Sequence, residues 1–341
     1  MSAIRNWRIP VRMLSGTCTW AVAMVLSSAV TLSHAQQSAW RPQKTVEIVI
    51  PSSAGSSMDA AARMIQSQLQ EGRIVDVPVV AVNKSGGGGN LATNYFDQQA
   101  GDGHYMFFST MSLMNSHILG RSKTNYTDYT PIALVFTEDM TIVVQADSAL
   151  KTGRDIMAKL KDNPESLAIA IGLARGGTGH LNIALVTKAM GIDARKLRTV
   201  IFDGNVKALA ALLGGHVELS SMSFAQAWAQ SQQGKLRIVG VAAERRGEGV
   251  LANIPTWKEQ GFDVVFTNVR LMFGPKGMTP AQTAYWDAAL QRVLQSDRWK
   301  KFAEDNHYVQ GYVGPERAPQ HMAALYKQLK DALVEVGMAK Q

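Results

Sequence analysis

Acidic residues are missing from the first 46 positions of this chain, although that segment holds three arginines within its first 12 residues. The arginines precede an uncharged apolar stretch at 20–32, which is followed by the small-x-small sequence 33–35. This combination is typical of a secretory signal peptide. The apolar stretch has 13 residues, too few for the roughly 20 that a membrane-spanning helix needs. We therefore predict a signal peptide at 1–35; the alternative is a buried core helix.

Cysteine is almost as scarce, since Cys18 is the only one and lies within the predicted signal peptide. The mature chain would then have no disulfide, no zinc–thiolate site and no cysteine nucleophile. Catalytic patterns are missing too: Gly-x-Ser-x-Gly, His-Glu-x-x-His and the EF-hand loop do not occur. The histidines are scattered without metal-ligand spacing. These absences predict a protein that is not an enzyme and that holds neither a metal ion nor a cofactor.

The charge balance is only mildly basic. The formal charge of +8 falls to +5 when the three arginines of the signal peptide are removed, which leaves 32 basic against 27 acidic residues. No cluster of lysine and arginine alternates with aromatic residues, so we expect no nucleic-acid partner. The 306 residues after position 35 are too many for one typical domain and suit two.

Strands and helices alternate along the mature chain. β-Branched runs such as 46–50 lead through small-residue loops into segments with apolar residues at helical spacing, such as 58–70. This alternation predicts an α/β fold with parallel sheets covered by helices. Further strands are predicted at 79–83, 105–109, 166–172, 198–202, 217–223 and 237–243, and further helices at 91–100, 180–190, 206–213, 279–296 and 318–336.

Two long extended stretches, 131–145 and 264–275, separate two sets of these elements. We expect them to be crossover segments that join two lobes, each a mostly parallel sheet flanked by helices. The predicted boundaries are 41–142 plus 265–341 for lobe 1 and 143–264 for lobe 2.

Two small-residue loops follow the first two strands. In open α/β sheets, ligands bind at the carboxyl ends of strands, where unpaired N–H groups of helix N-termini attract anions. The loop 52–59 supplies hydroxyls, and its Asp59 has Arg63 four residues later as a local ion-pair partner. The loop 83–90 contains four consecutive glycines, which make an amide-rich concave loop possible. The alternative for this second loop is a flexible turn.

Two further loops follow strands in the second set. The loop 174–180 carries Arg175, whose guanidinium suits a bidentate carboxylate contact. The alternatives are that Arg175 is a solvated cation and that His180 packs on the sheet. The loop 203–205 carries Asp203 and Asn205, and helix capping is the simpler interpretation of both.

Arg270 lies in an apolar extended run at 264–273. A charge that is buried in such a run needs a partner of opposite sign. That partner is either an acid of the protein or the carboxylate of a ligand.

In their order and spacing, these segments resemble the tripartite tricarboxylate transporter substrate-binding family, the periplasmic Bug/TctC-type receptors. The resemblance covers about 40–340 and rests on the segments 46–63, 82–90, 102–105, 176–181, 202–204, 210–217, 254–261 and 270–275. Two places depart from the family pattern. In the family, paired glycines and a threonine usually precede the aspartate that corresponds to Asp59, whereas this chain has Gly-Ser-Ser-Met at 55–58. Val269 stands where the family often has a tryptophan.

The resemblance implies a two-lobed periplasmic-binding-protein fold that closes on a small organic acid. Carried over position by position, it places ligand contacts on one lobe at Ala54, Gly55, Ser56, Ser57, Asn83, Ser85, Gly86 and Gly87, and on the facing lobe at Gly177, Thr178, His180, Asp203 and Ser223. Charge reasoning adds Arg175 and Arg270 to this set.

The function implied by the resemblance is that of a periplasmic, monomeric solute receptor. It would bind a dicarboxylate, tricarboxylate or aromatic carboxylate by hinge closure and deliver it to the membrane components of a tripartite tricarboxylate transporter. A receptor of the same fold that feeds a sensor kinase is an open alternative. An exported α/β hydrolase and a non-carboxylate ligand are further alternatives.

Overall fold

The computed structural model describes residues 40–340, apart from the side chain of Val250. The predicted signal peptide at 1–35 lies outside the described residues. Within them the strands are β1 (Val46–Ile50), β2 (Val79–Asn83), β3 (Tyr105–Thr110), β4 (Thr130–Gln145), β5 (Ile169–Gly172), β6 (Thr199–Phe202), β7 (Leu219–Ser223), β8 (Leu236–Val241), β9 (Thr267–Gly274) and β10 (Val309–Val313).

The helices are α1 (Ser57–Glu71), α2 (Asn90–Asp97), α3 (Ser112–Ile118), α4 (Gly153–Asp162), α5 (Thr178–Ala189), α6 (Asn205–Leu213), α7 (Phe224–Gln232), α8 (Pro280–Gln295), α9 (Asp297–Asp305) and α10 (Ala318–Glu335). Every strand and helix that the sequence predicts is present, with ends that differ by at most three residues. The elements α3, α4, α7, α9 and β10 were not predicted. The α/β class is therefore confirmed.

The strands form one twisted path in the order β2-β1-β3-β9-β4-β7-β5-β6, with β10 and β8 paired to β4. The outer pairs β1–β2, β1–β3, β5–β6 and β5–β7 are parallel, whereas every pairing of β4 and β9 is antiparallel. We call β1–β3, β9, β10 and residues 130–139 of β4, with the loops and helices from the end of β1 to the start of β4, half A. Half B comprises β5–β8 and residues 140–145 of β4, with the loops and helices between β5 and β8.

The crossover role predicted for 131–145 agrees with this topology. The first ten residues of β4 pair with β9 and β10 in half A, and its last six pair with β7 and β8 in half B. A single strand of 16 residues therefore carries the chain from one half to the other. The lobe boundaries near 142 and 264 stay a prediction.

Side-chain alternation along the strands explains how the core divides into layers. Successive residues of a strand point to opposite faces of the sheet. In β3, Met106 and Phe108 belong to the layer that also holds Trp286 and Trp299, whereas Phe107 belongs to the opposite layer. That opposite layer continues into half B through residues such as Leu181. No helix among residues 40–340 is both long and apolar enough to cross a bilayer.

Candidate binding cleft

The carboxyl ends of several strands from both halves open toward one cleft. The chain leaves β1, β5, β6 and β7 there and enters α1, α5, α6 and α7 after at most six residues. We call this the central cleft. Its wall consists of Ser52, Ser56, Ser57, Met58, Thr110, Ser112, Met140, Gly172, Leu173, Thr178, Gly179, Asn205, Ser221, Met222, Ser223, Asn268 and Arg270.

Four helices of nine or more residues have N-terminal residues in or next to this wall. Ser57 begins α1, Thr178 begins α5 and Asn205 begins α6, while Ser223 immediately precedes α7. The first turns of α5, α6 and α7 have no side-chain cap. The first backbone N–H groups of α6 and α7 therefore keep hydrogen-bonding capacity, whereas the Thr178 N–H of α5 donates to the Ser112 Oγ at 3.3 Å. The dipoles of all three helices place partial positive charge in the cleft. This arrangement favours an anionic ligand.

Hydroxyl groups link the two halves across the cleft. The Oγ atoms of Ser57 in half A and Ser223 in half B are 2.9 Å apart. The Oγ of Ser112 and the Oγ1 of Thr178 are 3.0 Å apart. Every one of these hydroxyls can both donate and accept a hydrogen bond. Each can therefore give up its present hydroxyl partner and donate to an oxygen of a ligand instead.

A buried ion pair lies at the base of the cleft. The Nη2 of Arg270 donates to a carboxylate oxygen of Glu138 and to the Ser57 Oγ, at 3.1 Å in the second case. Asn268 donates its Nδ2 to the same Glu138 oxygen at 3.3 Å. Burial raises the pKa of Glu138, and the Arg270 charge and the Asn268 donor oppose that rise. The acid of the protein, rather than a ligand, thus compensates the charge of Arg270.

Strand register explains why these residues meet. Asn268 is directly opposite Glu138 in the β4–β9 ladder, and Arg270 lies two residues along β9 on the same face. Diagonal neighbours in an antiparallel pair are within reach of long side chains. Three polar atoms of this group, the Oε2 of Glu138, the Oδ1 of Asn268 and the Nε of Arg270, have no hydrogen-bond partner among the described residues.

The first loop is braced by Asp59. Its carboxylate accepts from the Gly55 N–H at 2.9 Å and from the Asn83 Nδ2 at 3.0 Å, and it pairs with Arg63 at 3.0 Å. Burial alone would raise the pKa of Asp59, but the Gly55, Arg63 and Asn83 donors outweigh it and hold that pKa below the ordinary value. The local ion pair expected between Asp59 and Arg63 is confirmed. The brace fixes the loop, and it occupies the Gly55 amide and the Asn83 side chain.

Residues 61–330 match the TctC family, whose description is "Tripartite tricarboxylate transporter family receptor". The chain belongs to this family. Its members and structural neighbours are solute-binding receptors and not enzymes. The predicted resemblance, the two-lobed α/β fold and the absence of enzymatic function are thereby confirmed.

Among curated relatives, the chain is 27% identical to the UPF0065 protein in the gbd 5′ region of Cupriavidus necator, over 88% of the chain and 89% of the relative. Identity to the protein BugT of Bordetella pertussis is 24%, over 75% and 78% of the two chains. The solved periplasmic binding protein BugD shares the fold, with a TM-score of 0.80, 23% identity and coverage of 88% of this chain and 100% of BugD. MatC from Rhodopseudomonas palustris with bound malate also shares it, with a TM-score of 0.76, 23% identity and coverage of 86% and 99%.

Five of the residues that the sequence predicts for the TctC site line the central cleft, namely Ser56, Ser57, Thr178, Ser223 and Arg270. The Ser85 Oγ donates to the Asp203 carbonyl at 2.8 Å, so this predicted pair links the two loops outside the cleft wall. Gly177 is the N-cap of α5. The structure places the other predicted residues outside the cleft wall: Ala54, Gly55, Asn83, Gly86, Gly87, Arg175 and His180.

The glycine-rich loop approaches half B directly. Gly86 to Gly89 all have positive φ, a conformation that suits glycine. A Cβ on Gly88 would lie 3.1 Å from the Cβ of Ala174. Gly88 and Gly89 line a cavity next to the central cleft, which shares Met58, Thr110 and Ser112 with it. The loop therefore forms a close contact between the halves.

Sequence reasoning missed several residues of the cleft wall. Thr110 is the last residue of β3, Ser112 begins α3 and Asn205 begins α6, whereas Ser221 and Asn268 lie inside strands. The position of Ser112 after a predicted strand was the available signal, because strand ends are where ligands bind. Ser221 and Asn268 carried no such signal. Among the described residues, no group of His, Cys, Asp and Glu side chains could hold a metal ion.

Proposed function

We propose that this TctC-family protein is a periplasmic receptor that binds a small aliphatic dicarboxylate in the central cleft by hinge closure. It then delivers the acid to the membrane components of a tripartite tricarboxylate transporter. The observation that carries this proposal is the convergence of four helix N-termini from two halves of the molecule on one cleft lined with hydroxyls.

The electrostatics of the cleft support an anion that is held mainly by the backbone. The charge of Arg270 is already balanced by Glu138. Its guanidinium would therefore orient the ligand through hydrogen bonds and would add little net charge to the cleft. Helix N-termini bind carboxylates through N–H groups and the dipole. Each hydrogen bond to a charged group contributes about 1.5–3 kcal/mol. Four to six such bonds, less the costs of ordering and desolvation, are compatible with micromolar affinity, about −8 kcal/mol.

The size of the cleft supports closure around the ligand. Its cavity volume is about 30 Å³, enough for about two water molecules. A dicarboxylate therefore needs the halves to separate before it enters. The Ser57–Ser223 and Ser112–Thr178 contacts would give way to contacts with the acid. Because the acid touches both halves only when they are close, it shifts the population toward the closed state.

The relatives support a dicarboxylate as the ligand class. MatC of Rhodopseudomonas palustris was solved with malate, and another R. palustris protein with a TM-score of 0.80 and 22% identity was solved with adipate. The hydroxyl-rich wall of this cleft suits an acid that carries a hydroxyl, as malate does. At 23% and 22% sequence identity these two proteins show a shared fold and not a shared ligand. We extend the ligand class to this chain because of the hydroxyls and helix N-termini in its cleft.

Calorimetric titration of residues 36–341 with malate, succinate, adipate, citrate and benzoate tests the proposal. We expect a dicarboxylate to bind with a dissociation constant in the micromolar range, which corresponds to a binding free energy of about −8 kcal/mol. If none of the acids binds at millimolar concentration, the proposed ligand class is wrong. Turnover of the bound acid would likewise contradict a receptor.

A matched pair of variants in α1 locates the binding site. Ser57→Ala removes a hydroxyl that contacts Arg270 and Ser223 in the cleft. Ser67→Ala removes a hydroxyl from the same helix whose hydrogen bond goes to Glu71, outside the cleft wall. We expect the first variant to lose about tenfold in affinity, since a hydrogen bond to a charged group is worth about 1.5–3 kcal/mol, and the second to bind as the unmodified protein does.

A further inference from the structure

A second pocket lies apart from the central cleft, between α3, the loop after β5 and the C-terminal end of the chain. We call it the arginine pocket and define it by Arg121, Arg175 and His180. Its cavity volume is about 340 Å³, which is large enough for a small molecule. Arg121 follows α3 on the side of half A, and Arg175 follows β5 in half B, so the pocket has a wall from each half.

Among the described residues, two of the three arginines that line this pocket, Arg121 and Arg175, have no acidic partner. Within residues 40–340, neither guanidinium has a carboxylate within 4.0 Å, whereas Arg195 on the same wall is paired with Asp193 at 2.8 Å. The Nη2 of Arg121 comes within 3.1 Å of the position that a Cβ on Gly176 would occupy. Burial and the charge of Arg175 lower the pKa of Arg121, as expected when two cations face each other.

His180 adds a buried donor. Its side chain is 1% exposed, and its Nδ1 accepts from the Gly176 N–H at 2.6 Å. The Nδ1 therefore carries no proton, and in the neutral ring the proton lies on Nε2. That Nε2 has no hydrogen-bond partner in the described part of the chain. A buried polar atom without a partner is uncommon in folded proteins and calls for an explanation.

We propose that Arg121, Arg175 and His180 form a second binding site that takes a compact oxyanion of the phosphate type. The two guanidiniums and the Nε2 of His180 are all hydrogen-bond donors, so their common partner is an anionic group with several acceptor oxygens. Two guanidiniums balance a doubly charged oxyanion, which also satisfies the buried Nε2. Since its arginines come from both halves, the bound oxyanion bridges them.

Titration of residues 36–341 with inorganic phosphate, followed by calorimetry and by the NMR signals of the His180 ring, tests this site. We expect saturable binding and a shift of the His180 signals. The double variant Arg121→Gln/Arg175→Gln should lose at least tenfold in phosphate affinity. The control Arg154→Gln/Arg292→Gln removes the same charge from two exposed arginines outside the pocket and should retain phosphate binding.

Equal weakening in both double variants, or an unchanged His180 signal, would mean nonspecific attraction to a basic protein and would overturn the proposal. Malate provides the second arm: an acid that binds in the central cleft should bind the Arg121→Gln/Arg175→Gln variant as it binds the unmodified protein. Loss of malate binding together with phosphate binding would mean that the pocket takes carboxylates, which also overturns the assignment to phosphate. The outcome for phosphate does not depend on the function proposed for the central cleft.

Discussion

Arg270 on β9 and Glu138 on β4 form an ion pair in which the side chains are 4% and 0% exposed. Each residue is a diagonal neighbour of the other across an antiparallel ladder, and Ser57 at the start of α1 contacts the same guanidinium. The pair thus connects the interior of the sheet to the wall of the central cleft. Because both side chains are buried, each charge is stabilised by the other and not by water.

Removing one member of this pair should destabilise the fold strongly. Arg270→Met leaves Glu138 buried without its partner, and breaking a buried ion pair in this way costs about 3–5 kcal/mol. The double variant Arg270→Met/Glu138→Leu removes both charges and should recover most of that loss. Urea unfolding of the two variants measures the difference. A double variant that is as unstable as the single one would show that packing, and not the unpaired charge, causes the loss.

A side chain on Gly88 should weaken closure. Gly88→Ala places a Cβ 3.1 Å from Ala174 in half B, whereas Gly101, which has a similar positive φ, has open space at that position. Both variants bear the backbone cost of about 1–2 kcal/mol for an L residue with positive φ. Only Gly88→Ala adds crowding between the halves, of about 1 kcal/mol, which corresponds to about fivefold in affinity. Calorimetry with the dicarboxylate compares the two, and equal affinities would exclude a closing contact at Gly88.

Asp59 should make stability depend on pH at the acidic end. Its folded pKa lies below the ordinary 3.8, so its contribution is complete above 3.8 and is lost as the pH falls through the folded pKa. Asp59→Asn should therefore lower the melting temperature at pH 7, and the difference from the unmodified protein should shrink below pH 3.8. The exposed Asp162 provides the control Asp162→Asn. A difference for Asp59→Asn that stays constant down to pH 2 would contradict this account.

His180 should stay neutral at mildly acidic pH. Burial, and then the charges of Arg175 and Arg121, lower its pKa from 6.5 to about 4. The unfolded chain takes up a proton at His180 near pH 6.5 and the folded one does not. The free energy of unfolding should therefore fall as the pH is lowered from 6.5 to about 4, by up to about 1.4 kcal/mol per pH unit. NMR titration of the ring in folded protein, compared with protein in concentrated urea, measures both values. A folded ring that titrates near 6.5 would mean that it is hydrated.

The regular elements were predictable because their signals are local. The strand at 46–50 and the helix at 58–70 each carry their own periodicity, and β1 and α1 lie within one residue of those ranges. The helix α3 has seven residues and α7 follows β7 without a loop. Such short elements owe their helical form to packing in the tertiary structure, which local periodicity does not record.

The candidate site was predictable only in part, because its contacts are long-range. Small residues marked the loops that contain Ser57 and Thr178, and both line the cleft. The partner of Arg270 was left open between an acid of the protein and a ligand, since Glu138 lies 132 residues away in sequence and meets it only through strand register. His180 was expected near the cleft with the rest of its loop. Its helix instead directs it to the arginine pocket.

The most direct test of the central claim is a crystal structure of residues 36–341 with the dicarboxylate that calorimetry identifies. We expect a carboxylate of the ligand between the first turns of α1 and α5, within hydrogen-bond distance of Ser57 and Thr178. An acid that lies elsewhere, with the central cleft still bridged by Ser57 and Ser223, would contradict the account.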